Sequence, residues 1–232
     1  MTQRDDIWYA AKATKIVQHP ESSLETFGQT AVNYYVVTDL LDVVEQVRIR
    51  QGKVMAERPQ VITPHFLAQQ ALENFGAEAR EYVESMLNSA EGTRILRYGL
   101  RFRKEEYSEE IVAGVSGEVA DQISSDMSSG KGTMTGVIIG VDDLWEVSLL
   151  HFMRTVISSS APQNFNDLAS RGLLETTSGN VPNAVRIEIE SDFREAEGDA
   201  DRVRNLGRKL RDYGVFDDYE DRFFDLYRRY CR

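Results

Sequence analysis

Arginines at alternating positions are the residues of this chain whose spacing most clearly indicates a binding surface. Arg97, Arg101 and Arg103 lie two or four positions apart in the stretch from residue 94 to residue 104. The alternate positions there hold apolar or aromatic residues: Leu96, Tyr98, Leu100 and Phe102. Because successive side chains of a strand point to opposite faces, this period predicts a half-buried β-strand with an outward arginine row. A guanidinium presents a planar fork of donors to carboxylates and phosphates, so the row is a candidate partner- or anion-binding surface.

A second pair of arginines, Arg48 and Arg50, repeats the pattern by alternating with Val47 and Ile49. Both are predicted to point away from the apolar face of their strand. The chain carries 38 acidic and 27 basic residues, so its own carboxylates offer many partners to these arginines. Two interpretations stay open: internal ion pairs, or a basic sheet face that binds phosphates or an acidic protein surface.

Motifs for cofactors and metals are incomplete in this sequence. Ser129–Thr133 contains Gly-Lys-Gly, but it lacks the first glycine of a phosphate loop and the hydroxyl after the lysine, so a flexible connector is predicted. The three histidines, His19, His65 and His151, are far apart, and Cys231 is the only cysteine. A zinc site needs several such ligands, so the sequence predicts neither a metal nor a cofactor.

Asp142, Asp143 and His151 are the residues on which an enzyme site could be built. The two carboxylates could hold magnesium, and the histidine could act as a general base. Acidic residues at a helix start also favour the helix dipole, and a lone histidine on an apolar helix is typical of a core or core-edge position. An enzyme is therefore the weakest of the functional interpretations.

The composition is that of a globular protein with a strong acidic balance. The chain has 232 residues, 41% of them hydrophobic, and a formal net charge of −11. This charge opposes broad, non-specific binding to nucleic acids or anionic membranes, although a local basic patch could still bind either. Its apolar runs are too short to span a bilayer, and its N-terminus has no signal-peptide core. One cysteine cannot form an internal disulfide, which favours a cytoplasmic location.

The periodicity of residues 1–107 predicts a β-rich part. Residues 34–41 are aromatic and β-branched, which favours a strand. Residues 47–50 and 54–56 are predicted to pair as a hairpin whose turn contains Gly52. A helical pair is predicted between strands, the first helix beginning at Thr63-Pro64 and the second carrying the apolar stripe of residues 79–87.

Residues 108–232 are predicted to be mainly helical, starting with a helix capped by Ser108. A core helix is expected over residues 142–158, and a short separate helix is expected after Ser160. Residues 185–190 fit both a strand and a helix, and the apolar stripe that continues to Phe193 favours a helix. Two amphipathic helices complete the chain, the last of them rich in aromatic residues: Tyr219, Phe223, Phe224, Tyr227 and Tyr230.

These elements predict an α+β protein with an N-terminal antiparallel sheet, inserted helices and a mainly helical C-terminal half packed against the sheet. The favoured function is a non-enzymatic protein–protein interaction or regulatory protein with a basic sheet face. Its partner would be an acidic protein surface, or its own second subunit bound through the aromatic C-terminal helix. The alternative is a nucleic-acid-binding protein, favoured if Tyr34 and Tyr35 share the arginine face and can stack on bases.

Overall fold

A computed structural model gives the architecture, and it describes residues 3–40, 42–57, 72–87, 102–127, 134–177, 181–213 and 215–231. The predicted α+β class is confirmed, because most strands lie in the N-terminal part and most helices in the C-terminal part. Across the described ranges, every helix is too short or too polar to cross a membrane.

A mixed sheet forms the centre of the fold, with the strand order β1-β7-β2-β3-β5-β4 and with β6 paired to the other half of β3. Its strands are β1 (Lys15–Gln18), β2 (Thr30–Asp39), β3 (Gln46–Ala56), β4 (Leu72–Glu73), β5 (Phe102–Lys104), β6 (Ser108–Ala113) and β7 (Thr135–Gly140). The sheet is not wholly antiparallel as predicted, since β7 runs parallel to β2 and β4 runs parallel to β5. A helix connects β6 to β7 and provides the crossover that parallel strands require.

The described helices are α1 (Gln3–Ala13), α2 (Ala77–Leu87), α3 (Ser116–Met127), α4 (Trp145–Ser170), α5 (Asn183–Glu195), α6 (Ala200–Asp212) and α7 (Phe216–Tyr230). A single 3-10 turn, Asp142–Leu144, leads into α4, and a short ribbon of β8 (Thr176–Thr177) and β9 (Val181–Pro182) follows it. The predicted core helix and the helix over residues 185–190 are therefore both present.

Helices cover both faces of the sheet. On one face, Val32, Tyr34 and Val36 of β2 share a buried cluster with apolar residues of α1, α2 and α4. On the other face, Val37 and Val137 pack with the apolar side of α3. Both faces therefore carry apolar side chains, and each helix layer covers a different set of alternating β2 residues.

The three C-terminal helices have a core of their own. Their buried residues include Ile189 of α5, Leu206 and Leu210 of α6, and Phe223 of α7, and these form a cluster separate from those on the sheet. The helical half is thus divided between α4, which packs on the sheet, and the unit of α5 to α7. Strands β6 and β7 lie beyond residue 107, so the sheet continues across the boundary drawn from sequence.

The hairpin predicted around Gly52 is wrong, because β3 is one continuous strand from Gln46 to Ala56. The chain reverses earlier, between β2 and β3, where Glu45 adopts a φ of 57°. Gly52 instead lies opposite Tyr34 in the sheet. A Cβ atom at residue 52 would come within 2.5 Å of the Tyr34 hydroxyl, so glycine is needed here for close approach and not for a turn.

The helix predicted from Ser108 is also wrong, since residues 108–113 form β6. Pairing with β3 overrides the local helical period: six residues of each strand are in register, which places Glu109 opposite Arg50. The helix α3 begins only at Ser116, after Gly114 takes a φ of 140°. Its start is held by Asp39, which accepts hydrogen bonds from the Ser116 amide at 3.2 Å and hydroxyl at 2.8 Å.

The separate helix predicted after Ser160 does not exist either, because α4 runs on to Ser170 through Pro162. Ser160 is buried inside the helix, where its hydroxyl donates to the Val156 carbonyl and accepts from the Leu24 amide. The Ser129–Thr133 connector and most of the helix predicted from Thr63 lie outside the described residues. The described end of that helix is wrong, because Leu72 and Glu73 form β4, which pairs with β5.

Replacing Gly52 tests the close approach between β3 and Tyr34. We expect Gly52→Ala to lower the free energy of unfolding by about 1–3 kcal/mol, because the new methyl group must displace a fully buried ring. Gly117→Ala is the matched control, since a Cβ at that helical position meets nothing within 4 Å. We expect the control to change stability by less than about 1 kcal/mol, in the stabilising direction.

Both free energies are measured by urea denaturation of the purified protein. Among the described residues the Tyr34 hydroxyl has no hydrogen-bond partner, so Tyr34→Phe removes the nearest obstructing atom at little cost. Cζ of Tyr34 and Cβ of Tyr107 stay 2.8 Å from the position of the added Cβ. Combining it with Gly52→Ala should restore part of the lost stability. Equal stability of Gly52→Ala and the wild type would show that this contact does not constrain residue 52.

Candidate functional site

The three described arginines of the predicted basic surface, Arg48, Arg50 and Arg103, lie on two opposite faces of the sheet. Arg48 and Arg50 of β3 lie on the same face as their register partners on β2, which are Thr38 and Val36 respectively. Arg103 of β5 is paired with Met55 and so points to the other face. Arg97 and Arg101 lie outside the described residues. The structure therefore brings Arg48 and Arg50 together but separates them from Arg103.

The side chain of Asp142 lies between Arg48 and Arg50. Its Oδ2 accepts a hydrogen bond from Nη1 of Arg48 at 2.6 Å, and its Oδ1 accepts one from Nη1 of Arg50 at 2.8 Å. The hydroxyl of Thr38 also donates to Oδ1, at 2.8 Å. One carboxylate in the turn that leads into α4 thus binds two strands of the sheet.

Glu109 of β6 completes this group of charges. Its Oε1 lies 3.1 Å from Nε of Arg48, and its Oε2 lies 2.9 Å from Nε of Arg50. Two guanidinium groups and two carboxylates give the group no net charge. Arg50 is only 5% exposed, so its guanidinium is bound within the protein and is not presented to a partner. Arg50 does point away from Ile49, but the start of α4 covers it, so it is not part of a solvent-facing basic surface.

The environment of Asp142 favours its charged form. Burial alone would raise the pKa of Asp142, but hydrogen bonds from Thr38 and Arg50 and the charges of Arg50 and Arg48 outweigh it. The pKa of this carboxyl is consequently held below its ordinary value. The group of four charges is a structural clamp in which the carboxylate stays ionised.

The ring of Trp145, the first residue of α4, contacts two cations. The guanidinium carbon of Arg50 is 5.1 Å from its ring centre, and the ammonium of Lys104 is 4.8 Å away. Lys104 also pairs with Glu146, whose other carboxylate oxygen accepts a hydrogen bond from the Gly76 amide at 2.6 Å. These contacts fix the first turn of α4 against β3, β5 and the segment before α2.

Arg103 is the arginine of the predicted set that is exposed. Its guanidinium pairs with Glu105, two residues along the chain, at 3.1 Å. Exposed pairs of this kind contribute little to stability, so Arg103 remains accessible to an anionic partner. Tyr34 and Tyr35 do not form a joint stacking surface, since Tyr34 is fully buried and Tyr35 points to the opposite face.

The three residues considered for an enzyme site, Asp142, Asp143 and His151, do not lie together in one site. Asp142 belongs to the arginine clamp, Asp143 is exposed beside it, and His151 lies about 13 Å farther along the helical axis. Nδ1 of His151 is 3.2 Å from the Tyr82 hydroxyl, and burial lowers the pKa of this histidine. Within the described parts of the chain, no three histidine, cysteine or acidic side chains are grouped so that they could hold a metal ion.

The C-terminal helix α7 presents aromatic side chains to solvent. Phe223 and Leu226 are buried in the three-helix core, whereas Phe224, Tyr227 and Tyr230 are each at least 37% exposed. The helix also separates its charges along its length. Four acidic residues and Arg222 lie in its first two turns, and Asp225, Arg228 and Arg229 lie in its last two. This surface is exposed, partly apolar and electrically asymmetric, which suits it to binding another protein.

Asp142→Asn tests the clamp at its centre. We expect a loss of about 3 kcal/mol in the free energy of unfolding at neutral pH, because the buried Arg50 loses its main anionic partner. Asp143→Asn is the matched control, since Asp143 is exposed and adjacent. The control should change stability by less than about 0.5 kcal/mol.

The pH dependence of this difference provides a second readout. A carboxyl whose folded-state pKa is lowered adds stability above its ordinary pKa of 3.8 and loses it as the pH falls through the folded-state value. Urea unfolding from pH 7 down to pH 3 should therefore show the gap between wild type and Asp142→Asn narrowing below about pH 4. A gap that does not change with pH would contradict an ionised Asp142 at the centre of the clamp.

No protein-family model, curated protein or solved structure matches this chain. Likeness to known proteins thus assigns neither a family nor a function. The functional conclusion therefore rests on the chemistry of the exposed side chains, among them three aromatic residues of α7: Phe224, Tyr227 and Tyr230.

Proposed function

We propose that the protein is a non-enzymatic interaction protein that associates with a second copy of itself through α7. The observation that carries this proposal is the exposure of Phe224, 42% of whose surface is accessible, at the middle of an otherwise charged helical stripe. Burying an aromatic ring of this kind in an interface removes apolar surface from water and stabilises association.

The stripe follows from the period of the helix. Asp217, Asp221, Phe224 and Arg228 are spaced by four, three and four residues, so they lie along one side of α7. Glu220 and Tyr227 border the stripe, and Phe223 and Leu226 point away from it into the core. One half of the surface is therefore acidic and the other half basic, with Phe224 between them.

This distribution of charge selects an antiparallel partner of the same sequence. In a twofold arrangement centred on Phe224, the two phenylalanine rings meet and Glu220 faces Arg228 of the second copy. A parallel arrangement would instead place acid against acid and base against base. The exposed pair of Arg228 with Asp225 at 2.6 Å is weak and can exchange for contacts across the interface.

The interface is small, because one helix pair buries less surface than a permanent dimer requires. We therefore expect a reversible dimer with a dissociation constant in the micromolar range. The single cysteine remains the basis for placing this association in the cytoplasm. A basic sheet face formed by Arg97, Arg101 and Arg103 stays a proposal for a separate contact with an acidic protein surface.

Sedimentation equilibrium tests the association. Phe224→Ser should weaken the dimer at least tenfold, since it removes the central apolar contact, and it should leave the circular dichroism spectrum unchanged. Phe165→Ser is the matched control, because Phe165 is 49% exposed on α4. The control should dimerise like the wild type.

Charge reversal tests the orientation of the two helices. A variant with Glu220→Arg and Asp221→Arg, and a second with Arg228→Glu and Arg229→Glu, should each remain monomeric through like-charge repulsion. Mixing the two variants should restore a heterodimer, since each reversed half then meets its complement. A wild type that stays monomeric at high micromolar concentration, or variants that dimerise unchanged, would overturn the proposal.

A further inference from the structure

A second open surface lies on the sheet face that α3 covers only in part. A cleft of about 480 Å³ begins where α3 ends, with Met127 on one side. Its lining is polar apart from that methionine and Gly52: Asn33, Tyr35, Gln51, Lys53, Glu106, Ser108 and Thr135. This volume falls in the range of small-molecule sites and suits a ligand of nucleotide size.

The strand register arranges these side chains in two adjacent rows. Thr135, Asn33 and Lys53 are paired across β7, β2 and β3 and form the first row. Tyr35, Gln51 and Ser108 are paired across β2, β3 and β6 and form the second. Residues two apart on a strand are about 7 Å apart on one face, so the rows together span a flat ligand.

Lys53 supplies a cation that forms no ion pair with the described residues. Its neighbours Arg50, Arg103 and Lys104 each form an ion pair with a carboxylate. No such pair joins Lys53 to any residue that the structure describes, although Glu106 lines the same cleft. An exposed ammonium in a chain with a net charge of −11 is available to an anionic group of a ligand.

Tyr35, Asn33 and Gln51 supply the other contacts that a heteroaromatic ring would use. Tyr35 is half-buried, because it packs against the core under α3 while its remaining surface lines the cleft. The amides of Asn33 and Gln51 each carry both donors and acceptors, as the edge of a base requires. Stacking on tyrosine tolerates different bases, while the amides can discriminate between them.

We propose that this cleft binds a single nucleotide unit. The base stacks on Tyr35 and meets the amides of Asn33 and Gln51, the phosphate binds Lys53, and the carboxylate of Glu106 accepts hydrogen bonds from the ribose. The same chemistry is presented by a free nucleoside monophosphate and by one residue of a single-stranded RNA. The acidic net charge disfavours a long polyanion, so the free nucleotide is the expected source.

Isothermal titration calorimetry tests the proposal with the four ribonucleoside monophosphates, adenosine and a short single-stranded RNA. The wild type should bind at least one monophosphate more tightly than its nucleoside. Lys53→Met should weaken phosphate-bearing ligands about tenfold and leave adenosine unaffected. Tyr35→Leu should weaken every ligand about tenfold, because it keeps the apolar packing but removes the stacking ring.

Lys15→Met is the matched control, since it removes the same charge from the exposed edge strand β1. It should bind all ligands like the wild type. Binding of the RNA alone, with the same sensitivity to Lys53→Met and Tyr35→Leu, would support the nucleotide site and identify a strand as its source. Absence of binding at millimolar concentration, or binding that neither variant weakens, would overturn the proposal.

Discussion

The contact between Asp142 and the two arginines of β3 is the interaction on which the architecture depends. It joins the start of the longest described helix, α4, to the strand at the centre of the sheet. Since a buried guanidinium without an anion is very costly, Arg48 and Arg50 make this docking position specific as well as stable. Trp145 adds contacts with Arg50 and Lys104, which hold the first turn of α4 against the sheet.

The ion pairs of the clamp determine which charged surfaces remain available to bind a partner. Arg48 and Arg50, which were candidates for a basic partner-binding face, instead hold α4 to the sheet through Asp142. The surface that we propose for a partner therefore lies on the C-terminal unit. There α7 carries an excess of acidic residues in its first half and Arg228 and Arg229 in its last turn, and its ion pairs with Asp225 and Glu190 are exposed. Lys53, three residues from Arg50 on the same strand, points to the opposite face of the sheet and takes no part in the clamp.

Sequence periodicity identified the elements whose stability is local, and it failed where pairing partners are distant. The stripes of α2, α4, α6 and α7 are strong enough to predict each helix, and the α+β class follows from them. Residues 108–113 carry a helical stripe as well, yet β3 is available to pair with them, and no local pattern reveals that. Gly52 resembles a turn residue in the sequence because its constraint is also distant. The ring of Tyr34, on β2, leaves no room for a Cβ at residue 52.

The clamp shows the same limit for the site. The sequence indicates that Asp142 is a carboxylate at the start of a helix, and it allows Arg48 and Arg50 to form ion pairs within the protein. Their partners could not be chosen, because Asp142 and Glu109 lie 92 and 59 residues from Arg50. The separate core of α5 to α7 has a different kind of consequence, since among the described residues its buried cluster shares no member with the clusters on the sheet. We expect the unit to open while the sheet stays folded, so that global unfolding of this chain is not a single all-or-none transition.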